Sequence, residues 1–246
     1  MILLATYHEI TENDSRYVYS ISTSRFVEHT QVLGHLAVTT GSTALSFDDG
    51  HLSNYELALP ILETHNCRAI HFLSASWIGR RDSFMDWNQV RELQRAGHEI
   101  QSHSWSHPFL TECKDEDLEL ELTRSKEVIE DRLGVEVTAI SMPGGRWDRR
   151  VVRACAMAGY QRIYLSDPFF RPRIVDNVEI LGRLMVSRTM SAHSLHRWVS
   201  GNNRQFGIEW MRRRSKDLAR NVLGNSMYHL LWRTLGGAER SLQGRG

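Results

Sequence analysis

Short apolar runs alternate along the chain with longer segments whose apolar residues recur every three or four positions. The first pattern suits strands and the second amphipathic helices, so their alternation predicts parallel βα units. Strands are expected at 2–7, 43–47, 68–73, 98–102, 137–141, 160–165 and 180–186, and helices at 24–32, 55–64, 86–96, 115–133 and 149–158. Pro60 should bend the second helix, since it has no N–H and crowds the preceding turn. Asp86 and Asp148 suit helix starts, where a short carboxylate accepts from free N–H groups. Gly97 and Gly134 suit helix stops, which favour a left-handed residue. At 246 residues the chain is long enough for one α/β barrel with a sizeable core.

The polar residues with chemical potential follow strands: Asp48, Asp49, His103, His107, Pro143-Gly144-Gly145 and Asp167. In a parallel barrel those strand ends share one face, where active sites assemble. Asp48-Asp49-Gly50 offers two adjacent acids at a turn that Gly50 permits. His103-Ser104-Trp105-Ser106-His107 places two imidazoles four residues apart, so both can reach one ion from a single turn or tight loop. A His/His/carboxylate set with open positions suits catalytic zinc better than structural zinc, which four protein ligands usually close. Taken singly, each motif has a plain alternative, a turn for the acids and a surface pair for the histidines. Their order, each after a strand, favours the metal site.

Composition narrows the class only slightly. Hydrophobic residues make up 41%, charged residues 24%, and the net charge is +1, which gives no argument for a nucleic-acid partner. Cys67, Cys113 and Cys155 are odd in number, widely spaced and without a C-x-x-C pair, so reduced thiols are expected. The N-terminal segment reads as a strand rather than a signal peptide, and no run reaches the roughly twenty apolar residues that span a bilayer. A cytoplasmic location is the expectation.

The charge is unevenly spread. Residues 201–246 carry nine Arg and Lys against three acids, a local +6 that leaves −5 for residues 1–200. Apolar residues such as Ile208, Trp210, Leu223 and Leu231 recur there at roughly helical spacing. The division expected is a barrel over 1–200 and a basic, amphipathic helical extension over 201–246. Helices packed on the barrel are the favoured reading; peripheral contact of 201–236 with an anionic membrane surface is the other.

With these residues quoted, the chain resembles the polysaccharide deacetylase family (NodB-homology domain, carbohydrate esterase family 4). Ser46-Phe47-Asp48-Asp49-Gly50 is similar to that family's first motif and Ser102 to Pro108 to its second. Weaker similarity runs over roughly 1–190, with Pro143-Gly144-Gly145 as a version of the third motif. The resemblance implies an irregular (β/α) barrel of seven strands, to which the pattern over 201–246 adds further C-terminal helices. It implies one divalent metal ion, zinc first, on Asp49, His103 and His107, with Asp48 as catalytic base. An ion of this kind acidifies water and polarises a carbonyl, and an uncoordinated Asp48 can accept the water's proton. Pro143, Gly144, Gly145, Arg146 and Trp105 are the expected saccharide contacts.

Two family features are missing. No Arg precedes Pro143 to orient the base, leaving Arg146 or Arg183 as substitutes outside the pattern. Val186 stands where the family has the His that protonates the leaving group. His51, His71, His193 and His196 read as structural or surface residues, so the general acid stays unassigned. The expected function is metal-dependent removal of acetyl from an N-acetylated sugar or glycan intermediate. The alternatives are a metal amidase acting on a non-sugar amide, and a non-catalytic saccharide-binding module that keeps the metal.

Overall fold

A computed structural model describes residues 3–13, 15, 17–40 and 45–200. The expected basic extension, and its membrane contact, lie outside the described residues. The elements in chain order are β1 (Leu4–Tyr7), β2 (Glu9–Thr11), β3 (Ser20–Ser22), α1 (Thr23–Thr40), β4 (Leu45–Phe47), a π-helical turn (Asn54–Ala58) and α2 (Leu59–Thr64). There follow β5 (Ile70–Leu73), α3 (Trp87–Arg95), β6 (Glu99–Ser102), α4 (Asp115–Leu133), β7 (Ala139–Ser141), α5 (Arg149–Met157) and β8 (Arg162–Leu165). The last are β9 (Arg173–Val175), β10 (Val178–Met185) and α6 (Ala192–Val199).

Seven strands, β1-β4-β5-β6-β7-β8-β10, pair in parallel, and β10 returns to pair with β1. The barrel is therefore closed, with the parallel strands expected from the alternation and the seven-strand closure that the family resemblance implies. β9 is an antiparallel flap on β10, joined through Asp176 and Asn177, both left-handed. That geometry fits a two-residue hairpin, whose turn needs positive φ at both central positions. A small parallel pair, β2 and β3, lies outside the barrel.

Alternation along each strand divides inside from outside. Leu4, Ile70, Phe72, Ala139 and Tyr164 form one small cluster, the barrel interior. Neighbouring residues point outward: Tyr7, Phe47 and Leu184 pack with Phe26 and Leu33 of α1, while Ile140, Ile163 and Leu165 pack with Leu118, Leu122 and Val152 of α4 and α5. Burial of these side chains supplies the main cohesion, at about 1.5–3 kcal/mol for each large one. The interior is narrow and polar toward one end, where Thr6, Ser46, Ser141 and Arg183 are all fully buried.

The local signals mostly act as expected. Asp86 caps α3 by accepting from Asn88 N and Gln89 N, and the Gln89 side chain accepts from Asp86 N in return. Asp148 accepts from Val151 N at the start of α5, and Gly134 ends α4 at φ 66°. Two expectations change. α1 runs to Thr40 rather than Val32. The single helix expected at 55–64 is a π-turn followed by a new helix, with Pro60 in that helix's first turn. Proline there leaves no hydrogen bond unmade, so it starts a helix rather than bending one. β2, β3 and β9 are three residues each, too short for any periodicity to show. Among the described residues no helix is long and apolar enough to cross a membrane.

Candidate metal centre

β4 delivers Asp48 and Asp49 to one end of the barrel. Asp48 N donates to Tyr7 O at 2.9 Å, extending the β1–β4 ladder by one bond. The chain then turns through two left-handed residues, Asp49 at φ 74° and Gly50 at φ 86°. The reversal sends the two carboxylates different ways. A Cβ on Gly50 would stand 2.8 Å from the movable end of the Ile78 side chain, so the positive φ is what calls for glycine.

β6 delivers His103, whose N–H donates to Leu73 O, and a tight loop carries the chain on to His107. Ser104 and His107 are left-handed, at φ 67° and 66°. Side chains hold this strained path. Ser104 Oγ accepts from His107 N at 3.0 Å, Ser125 Oγ donates to Ser104 O at 3.0 Å, and Ser102 Oγ accepts from Ser104 N at 3.1 Å. Buried Glu121 accepts from both Ser106 N and Ser106 Oγ. Ser125 and Glu121 belong to α4, so that helix fixes the angle between the two imidazoles. No pattern in the sequence marks them for this task.

Asp49 Oδ1 lies 3.4 Å from His103 Nε2 and 3.5 Å from His107 Nε2, and the three atoms lie within 4.8 Å of one another. His103 Nδ1 stands 2.8 Å from Ser141 O, a carbonyl that only accepts, so Nδ1 carries the proton and Nε2 presents a lone pair. That lone pair faces Asp49 Oδ1, which is buried and has no hydrogen-bond donor. Two imidazole nitrogens and a carboxylate oxygen without a donor thus converge in a shielded place. The donor set therefore fits a divalent ion, and two nitrogens with one oxygen suit zinc.

Asp48 is 2% exposed and turned toward the barrel interior. Arg183, fully buried on β10, grips it with both arms: Nη1 to Oδ1 at 2.7 Å and Nη2 to Oδ2 at 2.8 Å. Ser141 Oγ adds a bond to Oδ2 at 3.1 Å. Burial alone would raise the Asp48 pKa, but Arg183, followed by His103, outweighs it and holds the carboxyl well below its ordinary range. The guanidinium rests over the Phe72 ring at 5.0 Å, inside the barrel. Of the two substitutes expected for the missing arginine, Arg183 takes the place. Arg146 pairs with Glu112 at 2.5 Å and lies over Phe109.

His8, unremarked in the sequence, stands directly after β1. Its Nδ1 is buried without a partner, and its ring stacks on Tyr19 at 5.0 Å. Burial lowers its pKa, while Asp48 and Asp49 pull the other way. It is thus an imidazole within electrostatic reach of both acids. A histidine immediately after the first strand of a parallel barrel was the available signal.

The remaining candidates are scattered. Pro143–Gly145 form a 3-10 turn after β7, with Gly144 against Phe109 and Gly145 against Ser166. Trp105, between the two imidazoles in sequence, carries the Arg80 and Arg124 guanidiniums at 5.7 and 4.4 Å. Asp167 Oδ1 accepts from Phe169 N and belongs to its own turn. His71 is fully buried on the outer side of β5, stacked on Phe47. His51 Nδ1 contacts Ser53 Oγ at 2.8 Å. A groove of about 490 Å³ lies between α4 and α5, lined by Leu118, Arg150, Ala154 and Met157, and holds none of these residues.

Fold and site together describe a closed parallel α/β barrel with a metal-type centre at its strand ends. The family model for polysaccharide deacetylases matches residues 36–163, just over half of the chain. The chain belongs to the polysaccharide deacetylase family. The peptidoglycan-N-acetylglucosamine deacetylase PgdA of Listeria monocytogenes is 30% identical over 68% of this chain and 35% of its own length. Chitin deacetylase 1 of Cryptococcus neoformans is 32% identical over 47% of this chain and 23% of its own. The chain thus spans well under half the length of these two relatives. Among solved structures, the Streptococcus pyogenes deacetylase PplD shares the fold with a TM-score of 0.71, at 18% identity, over 81% of this chain and 98% of that one.

Proposed function

We propose that this chain removes acetyl from an N-acetylated saccharide by metal-assisted hydrolysis. The observation that carries the reading is the division of labour between adjacent acids. Asp49 converges with His103 and His107, while Asp48 is kept ionised by Arg183 and reaches His103 Nε2 only at 3.9 Å. A binding module has no use for that second carboxylate. A divalent ion on Asp49, His103 and His107 would polarise the acetyl carbonyl and acidify a water.

The protein's own groups supply the proton traffic. Asp48 takes the proton of the attacking water, and Arg183 with Ser141 fixes the carboxylate's direction throughout. Through His8 the water's proton passes on to the departing amine nitrogen as the carbon–nitrogen bond breaks, the task for which the sequence offered no group. Acetate and a free amino sugar are the products. The saccharide lies over the strand-end loops, with Trp105 and the Pro143–Arg146 turn among its contacts. A cytoplasmic location completes the reading, with contact of residues 201–236 at the inner membrane face as the alternative to helices packed on the barrel.

The test is acetate release from a panel of N-acetylated oligosaccharides and cyclic amides, beside metal analysis. The wild type should carry about one zinc-like ion per chain and release acetate from saccharides. Asp49→Ala should lose the ion, and Asp48→Asn should keep it while losing turnover by about a hundredfold or more. An Asp48→Asn variant as active as wild type would end the mechanism.

A further inference from the structure

Two consecutive arginines beside the metal centre are arranged to receive an anion. Arg81 lies over the Trp77 ring at 4.3 Å, and Trp77 stands 5.2 Å from the His107 ring. Arg80 lies over Trp105 at 5.7 Å, inside the segment that joins His103 to His107. Both arginines are exposed. Their loop is well held: Arg80 N and Arg81 N both donate to Trp77 O, at 3.1 and 3.2 Å, and Phe84 N donates to Arg81 O at 3.0 Å.

Four other described arginines have acids. Arg146 pairs with Glu112, Arg150 with Asp115, Arg162 with Glu99 and Arg183 with Asp48. Among the described residues no carboxylate stands within ion-pair distance of Arg80 or Arg81, and nearby Asp86 is committed to the cap of α3. A guanidinium lying on an aromatic ring offers its N–H edge outward, in the plane that bidentate contact with phosphate or carboxylate requires. Stacking also fixes much of the side chain before the ligand arrives.

We propose that Arg81, assisted by Arg80, selects saccharides that carry an anionic group, phosphoryl or carboxylate, next to the N-acetylated residue. This rests on the deacetylase reading for the site and adds a substrate class to it. Trp77 ties Arg81 to the His107 ring, so an anion met by Arg81 lies one ring away from the metal-type centre.

The test uses three tetrasaccharides of N-acetylglucosamine type: one neutral, one with a reducing-end phosphate and one with a terminal uronate. Binding is read by titration calorimetry at low salt on the full chain bearing Asp48→Asn, with and without Arg81→Gln. Chelator-treated wild type, with and without Arg81→Gln, serves as a second receptor. Initial rates are read with Asp48 present. One or both anionic probes should bind about tenfold or more tighter than the neutral one. Whichever is preferred identifies the source of the charge. Arg81→Gln should remove the preference and leave the neutral probe unchanged, Arg81→Lys should restore part of it, and added salt should weaken it.

Preferential binding without acetate release would support the anion site and count against deacetylation alone. Equal binding of all three probes, binding of none, or an equal loss for all three in Arg81→Gln would overturn the inference. None of those outcomes would touch acetate release from another substrate.

Discussion

A carboxylate enclosed as fully as Asp48 requires its cation. Arg183→Met would remove the charge and both hydrogen bonds while keeping an apolar chain over Phe72. The expected cost is about 3–5 kcal/mol of stability, the penalty for an abandoned buried charge. Urea denaturation at neutral pH measures it, and a loss below about 1 kcal/mol would mean that water reaches Asp48. His8→Ala should lower kcat by roughly a hundredfold or more while metal content stays at the wild-type level. Lost metal would instead make His8 part of the ligand set. His71 and His98 set a further expectation, because their rings meet at 5.2 Å with both His71 nitrogens and His98 Nε2 unpartnered. Burial lowers both pKa values, His98 to about 4 and His71 well below its ordinary value. The unfolded chain therefore binds more protons than the folded one between about pH 6.5 and 4. Stability is complete above that window and falls as pH drops through it, by about 1.4 kcal/mol per pH unit for each ring. Denaturation curves at pH 7.5 and 5 should show the drop, and His98→Gln should shrink it; an unchanged drop would place its origin elsewhere.

Among elements, β10 carries the most consequence, since it closes the barrel and bears Arg183. Its Gly182 has no room for a side chain: a Cβ there would stand 2.2 Å from Asp167 O and 3.0 Å from Phe170. Gly182→Ala should displace the β8–β9 connection and cost about 1–3 kcal/mol. It should also lower turnover, because the neighbouring residue holds the base. Thermal denaturation beside acetate release checks both, and a variant matching wild type in each would show that the connection yields freely. α4 matters for a different reason, since Ser125 and Glu121 pin the loop between the imidazoles. The strand and helix pattern made α4 legible from Asp115 to Leu133. Its grip on that loop was not, because those hydrogen bonds join residues some twenty positions apart, and spacing along one element cannot reveal them.

For the whole molecule, the converging acceptors predict linkage between metal and folding. Zinc at about a hundred times its dissociation constant should stabilise the wild type by about 2.7 kcal/mol. Calorimetric melting with and without chelator should show the difference, and Asp49→Ala should show none; equal shifts in both would place the ion elsewhere. Much of this organisation was legible in the residues. Alternating apolar periods pointed to parallel βα units, the family resemblance implied their closure into a barrel, and the strand ends of a parallel barrel share the face that holds Asp48, Asp49, His103 and His107. Distant partners stayed out of reach. Arg183 follows Asp48 by 135 positions, and only closure of β10 onto β1 sets it inside the barrel. His8 is likewise an ordinary residue after a first strand until β1 pairs with β4 and brings it beside the acids. Local chemistry fixed which groups could hold a metal, since that depends on residue type and strand position. Which arginine pairs with Asp48, and which histidine comes within electrostatic reach of both acids, depended on barrel closure, because closure decides what faces the interior.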